Sequence, residues 1–186
     1  MLDFKPACCL MSDLLTAVTD DDLTSETPCT DFTLADLIEH VSSVSQGFRA
    51  VGEHRVESGN DEADPDMTND TPSTLVAEAI KHVQALGAAW DDPTAWQGST
   101  SAGELELSND LWGRIALTEM VVHSWDIAQS LGRSISLPSE TLQACLDHVT
   151  EFIPNAPVPE LWGPPVDVTA DASQIDRIVA TTGRTP

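Results

Sequence analysis

Apolar residues return at helical spacing along most of the chain. Leu10, Leu14, Leu15 and Val18 make one stripe, and Leu34, Leu37, Ile38, Val41, Val44 and Phe48 make a longer one, so helices are predicted near 6–18 and 34–56. Leu75, Val76, Ala79, Ile80, Val83 and Leu86 predict a third near 72–90. A fourth is expected at 109–131 and a fifth at 138–153, and ASQIDRIVATTG fits a short closing helix near 172–182.

The polar positions between the stripes supply starts and stops. Thr33 can cap the second helix, with Asp36 three residues on in a capping-box position. Pro72 suits a first turn, and Gly132 is a natural C-terminal stop. Residues 94–108 contain Gly98, Gly103 and the alternation Glu104-Leu105-Glu106-Leu107, which reads as a long loop with one brief extended segment. The prolines of NAPVPELWGPPVDV argue against regular structure there. Residues 57–71 hold six acids and no base and read as a solvated loop. A calcium-loop reading of Asp64, Asp66 and Thr68 fails, because the turn glycine is missing and Leu75 stands where a bidentate Glu belongs. The expectation is an all-α protein, residues 1–186 forming a single domain of four main helices with a short C-terminal helical wrap.

Charge narrows the range of partners. Eight Lys and Arg against 31 Asp and Glu give a net charge of −23, a field that repels phosphate backbones and anionic lipid surfaces. Nucleic acid and membranes are therefore excluded as primary partners. No run approaches the roughly 18 apolar residues of a membrane helix, and the first residues lack the basic start of a leader, so a cytoplasmic location is expected. Cys8, Cys9, Cys29 and Cys145 show no metal-finger or scaffold spacing and read as reduced, buried thiols.

Chemistry enters with the fourth helix. Within its most apolar stretch sit Glu119, His123 and Asp126, spaced four and then three and so sharing one helix face. His40 lies in an apolar stretch of the second helix. It is about 10 Å past Thr33, and His123 is about 13 Å before Gly132, so the two are level if the helices are antiparallel. Parallel helices would put His123 about 21 Å from its helix start, a mismatch of about 11 Å. An up-down-down-up bundle gives the antiparallel pairing, and the acidic stretch 57–71 is long enough for the crossover it needs. Two imidazoles and a carboxylate form a donor set for a borderline divalent cation such as Zn²⁺, Ni²⁺ or Fe²⁺, with Asp126 as a partner for an imidazole N–H or as a fourth ligand. The alternative is a hydrogen-bonded Glu119–His123 pair and an unrelated core His40. His54, His82 and His148 read as helix-surface residues.

Two strings carry a resemblance. Thr27-Pro28-Cys29 followed by Phe32-Thr33-Leu34-Ala35-Asp36-Leu37-Ile38-Glu39-His40 resembles the TPC-x-x-W-T-V-x-D-L-x-x-H opening of actinobacterial DinB-like proteins. That group includes the N-terminal domain of mycothiol-dependent maleylpyruvate isomerase. Glu119-Met120-Val121-Val122-His123-Ser124-Trp125-Asp126-Ile127-Ala128 is similar to its E-x-x-x-H-x-W-D-L-A signature, and Pro164-Pro165-Val166 with Thr182-Gly183-Arg184-Thr185-Pro186 to the ending of its single-domain branch. Phe32 replaces the usual Trp. The resemblance implies an up-down-down-up DinB-like bundle holding a divalent metal, Zn or Ni foremost, on His40, Glu119 and His123. It further implies a transferase or isomerase that activates mycothiol or a related low-molecular-weight thiol toward a small electrophile. Cys29 has no His or Lys near it in sequence to activate it and is expected to pack where the loop enters the second helix. A non-catalytic metal binder, a helical oligomerisation module and a homodimer remain open.

Overall fold

The computed structural model describes residues 1–55, 71–103, 105–156 and 162–186. Four helices form the bundle: α1 (Lys5–Thr16), α2 (Leu34–Gly52), α3 (Pro72–Trp90) and α4 (Asn109–Ser130). α1 and α2 each pack against both α3 and α4. Side-chain pairs along the seams give the directions. Ser42 meets His82 Nδ1 at 2.7 Å, and further along both helices the Trp90 indole N–H donates to the Phe48 carbonyl at 3.0 Å, so α2 and α3 are parallel. Phe4 stacks on Trp90 at 5.7 Å and Cys8 lies against Gly87, so α1 runs against α3. His40 meets Glu119 while Phe48 meets Trp112, so α2 and α4 are antiparallel. The order is up-down-down-up.

Local chemistry explains the boundaries. Thr33 accepts from the Asp36 backbone N–H while the Asp36 carboxylate accepts from the Thr33 N–H, the reciprocal cap expected of that spacing. Pro72 occupies the first turn of α3, and Gly132, at φ 62°, turns the chain out of α4. α2 ends at Gly52, short of the expected residue 56, because His54 adopts φ 54° and Arg55 N–H bonds back to the Ala50 carbonyl. The acidic stretch expected at 57–71 lies outside the described residues except for Thr71, which caps α3. Residues 94–108 are more regular than expected. A 3₁₀ turn (Pro93–Trp96) leads into an antiparallel hairpin, β1 (Ser99–Ala102) and β2 (Leu105–Ser108), whose turn uses Gly103 at φ 60°.

The core thickens at the end of the bundle where α1 and α4 begin. Fully buried Trp90 stacks on Phe4 and meets Trp96 edge-on at 5.0 Å, and Gly113 of α4 leaves room for both indoles. At the other end the chain continues as a wrap: α5 (Ser139–Phe152) packs on α4, and α6 (Gln174–Thr181) on α5. After α6 the chain turns through Gly183, at φ 89°, and crosses Gly163 so closely that a Cβ on Gly183 would lie 2.6 Å from the Gly163 Cα.

Two histidines expected at the helix surface are not there. His148 shares the buried face of α5 with Thr141, Cys145 and Val149 and stacks on Phe152 at 4.9 Å; burial pushes its pKa down to about 4. His82 is half-buried against Ser42, and His54 is exposed as expected. All four cysteines are free thiols, but Cys9 is exposed and Cys29 half-buried, so burial holds only for Cys8 and Cys145. Among the described residues no helix is long and apolar enough to cross a membrane.

Gly113→Ala should destabilise the fold by about 1–3 kcal/mol in urea unfolding, since its Cβ would sit 2.7 Å from both Trp90 and Trp96. Gly47→Ala, also within a helix but with nothing inside 4 Å of a new Cβ, should stabilise by up to about 1 kcal/mol.

Candidate metal centre

His40 sits in the second turn of α2 beside Leu37, Ile38 and Val41, which are fully buried and anchor that face. Its own side chain is 32% exposed. Glu119, His123 and Asp126 are buried on α4, whose whole middle lies inside the protein. The antiparallel seam brings the two sets together. Glu119 Oε2 lies 3.4 Å from His40 Nε2 and 3.1 Å from His123 Nε2, and one ligand atom from each of the three residues falls within 4.8 Å of the others.

These spacings can be tested against a cation. Tetrahedral coordination with arms near 2.0–2.1 Å requires neighbouring ligand atoms to be roughly 3.4 Å apart. The carboxylate-to-imidazole separations match that edge, and the cluster's 4.8 Å limit leaves only a small adjustment for the third. Half-exposed His40 faces the open side.

Asp126 fixes the remaining nitrogen of His123. His123 Nδ1 donates to Asp126 Oδ2 at 2.9 Å, which leaves Nε2 aimed at Glu119 and His40. Asp126 is fully buried and is matched by Arg184: Nε and Nη2 donate to its two oxygens at 3.2 and 2.9 Å, and Nη1 donates to the Thr182 carbonyl at 2.8 Å. The guanidinium lies over the Trp162 ring, 5.3 Å from its centroid. Burial alone would raise the Glu119 carboxyl, but hydrogen bonds from His123 and His40 outweigh it and hold its pKa well below the usual range. Burial would likewise lower His123, yet hydrogen bonds to Asp126 and Glu119 keep its pKa raised. Burial also opposes ionisation of Asp126, and the bonds from His123 and Arg184 reverse it.

The cluster opens into a cavity of about 910 Å³, walled by Phe32, Ile153, Trp162 and the chain from Thr181 to Arg184. Cys29 lines it as well, so the residue does more than pack at the entry to α2. Burial raises its thiol pKa and outweighs the opposing pull of Arg184, so the thiol is not activated. Sequence reasoning missed Arg184 and Trp162. The available signal was Asp126 itself: an acid in an apolar helix requires a cation, and only eight Lys and Arg residues could provide it.

The family model of the mycothiol maleylpyruvate isomerase N-terminal domain matches residues 4–128, a span that runs through all four bundle helices nearly to the end of α4. The chain belongs to that family. Two curated proteins of Mycobacterium tuberculosis, both described as uncharacterized, MT0763 of strain CDC 1551 and Rv0738 of strain H37Rv, are each 31% identical over 130 residues. That alignment covers 68% of this chain and 64% of each relative, less than two thirds of their length. A crystal structure of a histidine-to-alanine mutant of mycothiol-dependent maleylpyruvate isomerase superposes with a TM-score of 0.58 at 14% identity, over 79% of this chain and 66% of that one. The shared feature is the DinB-like bundle. Trp162 and Arg184, which close the site in this member of the isomerase N-terminal domain family, lie beyond the matched residues.

Arg184→Met should strip the buried Asp126 carboxylate of its guanidinium, leaving it only the His123 hydrogen bond, and cost about 3–5 kcal/mol, and adding Asp126→Asn should recover part of it; chemical denaturation of the double-mutant cycle checks both. In chelator, the stability contributed by His123 is fully present below its ordinary value of 6.5 and is lost as pH rises through its raised pKa. That contributed by Glu119 is present above 4.5 and lost as pH falls through its depressed pKa. Buried His148, with its pKa pushed down to about 4, acts in the opposite sense to His123 and loses stability as pH falls below 6.5, so thermal melts of metal-free protein should peak near pH 6.5 and decline on both sides.

Proposed function

We propose that this family member is a divalent-metal protein that uses a low-molecular-weight thiol of the mycothiol kind to transfer to, or isomerise, a small electrophile. The observation that carries the reading is the convergence of His40, Glu119 and His123 ligand atoms within 4.8 Å on the wall of a 910 Å³ cavity. Such a volume lies at the upper end of small-molecule sites and suits a thiol cosubstrate together with a second reactant. Residues 1–186 act as one unit in this reading, because the chain from Trp162 to Arg184 forms part of the site wall.

The donor set of two imidazoles and one carboxylate suits Zn²⁺ or Ni²⁺ and leaves coordination open. When bound, the cation would supply Lewis acidity and lower the pKa of a thiol placed on it. His40, Glu119 and His123 would hold it. Asp126 keeps His123 in the tautomer whose Nε2 can donate its lone pair, and Arg184 keeps Asp126 ionised in a buried setting. Phe32 lies 5.5 Å from the His40 ring and Trp162 lies 6.3 Å from that of His123; they restrict water around the imidazoles and offer flat apolar surface to a reactant. Family membership and the mycothiol in the structural relative's name support the thiol.

Metal analysis and thermal melts test the site first. Zn²⁺ or Ni²⁺ at a hundred times its dissociation constant should stabilise chelator-treated protein by about 2.7 kcal/mol, and His40→Ala, Glu119→Ala and His123→Ala should each remove most of that gain. Unchanged melting of the parent protein with either metal would sink the site. Turnover of electrophiles with mycothiol, bacillithiol and glutathione tests the chemistry. A rate no higher than that of His123→Ala for every combination would leave a metal-binding protein without this activity.

A further inference from the structure

The cavity's charge inventory specifies its reactant more closely. Of the eight Lys and Arg residues, all within the described residues, Arg184 alone lines the cavity. Its charge is already compensated. Two of its N–H groups are on Asp126, a third is on the Thr182 carbonyl, and one face lies against Trp162. Among the described residues the wall carries two carboxylates: Glu119, already held by the wall histidines His40 and His123, and exposed Asp31, which adds negative charge; Phe32, Ile153, Trp162 and the prolines beside it are apolar. Arg177, one turn before Thr181, is exposed and does not line the cavity.

We infer that this cavity selects an uncharged electrophile and rejects dicarboxylates. The inference rests on the thiol-dependent reading above and deepens it. A dianion entering this wall loses hydration and meets no uncompensated cation among the side chains. A divalent ion held by the cluster does not change the balance, because Glu119 and the thiol that ionises there offset its two charges. The net charge of −23 opposes a dianion at longer range as well. An ester, by contrast, asks only for apolar contact and one polarised carbonyl. With an activated alkene the step is an addition: the thiol sulfur forms a bond to one alkene carbon, the C=C π bond breaks, and the thiol proton ends on the neighbouring carbon. No oxidant or reductant is needed.

Dimethyl maleate and maleate share one carbon skeleton and differ in charge, so they isolate the effect. With zinc-loaded protein and mycothiol, acceleration over each compound's own uncatalysed rate should favour the diester by about tenfold or more. Asp31→Lys, which replaces an exposed anion at the cavity wall by a free cation, should narrow that gap. Ligand-observed NMR on chelator-treated protein without thiol, where no cation is present to attract a carboxylate, should show saturation transfer to the diester and little to maleate. Equal acceleration or equal binding of maleate would overturn the charge selection and leave the thiol reading standing. If neither compound is accelerated beyond His123→Ala, the thiol reading fails, and the NMR preference still decides the charge selection alone.

Discussion

Everything around the site depends on keeping two buried carboxylates ionised inside an apolar bundle. Burying such groups without partners costs several kcal/mol each, and the protein meets this with an alternating series: His40, Glu119, His123, Asp126, Arg184. Each acid lies between two bases and each internal base between two acids. The series ties three parts of the chain together, since His40 comes from α2, the middle three residues from α4 and Arg184 from the tail beyond α6. Removing either terminal member takes from the acid beside it one of its two side-chain partners. The arrangement is therefore cooperative, and the site's geometry and the anchoring of the tail are one problem with one solution.

The direction of the helices is what allows the series to close. Parallel α2 and α3 leave α4 to run against α2, which sets the second turn of α2 level with the C-terminal half of α4. This much was legible in the sequence, because helix spacing is regular enough that counting residues from a capping threonine and from a terminating glycine gives depth along an axis. Thr33 and Gly132 are where the chain says its helices begin and end. The face shared by Glu119, His123 and Asp126 was legible for the same reason.

Partners that meet through loops were not legible. Arg184 is 58 residues from Asp126 and reaches it after two helices and a proline-rich stretch, a path no periodicity describes. Trp162 and Cys29 joined the cavity in the same way. The hairpin at 99–108 was half legible: the alternation was visible in Leu105 and Leu107, but its first strand, Ser99–Ala102, has small polar residues whose pairing is set by the turn at Gly103. His148 is a different kind of miss. It shares the buried face of α5 with Thr141, Cys145 and Val149, so its position on the helix, not its polar residue type, decides its burial.

Gly183 sets a limit on how this site can vary. Its backbone conformation disfavours side chains, and even a methyl group there would run into the backbone of residue 163, whatever residue stood at 163. Side chains along both crossing segments can change, so the wall facing the cavity can be rebuilt while the crossing stays in place. The glycine thus serves as a marker in descent. Relatives that fold their tails over the His40–Glu119–His123 cluster in this manner must retain it, and a lineage that exchanged it has rerouted its tail and found another neighbour for the buried aspartate.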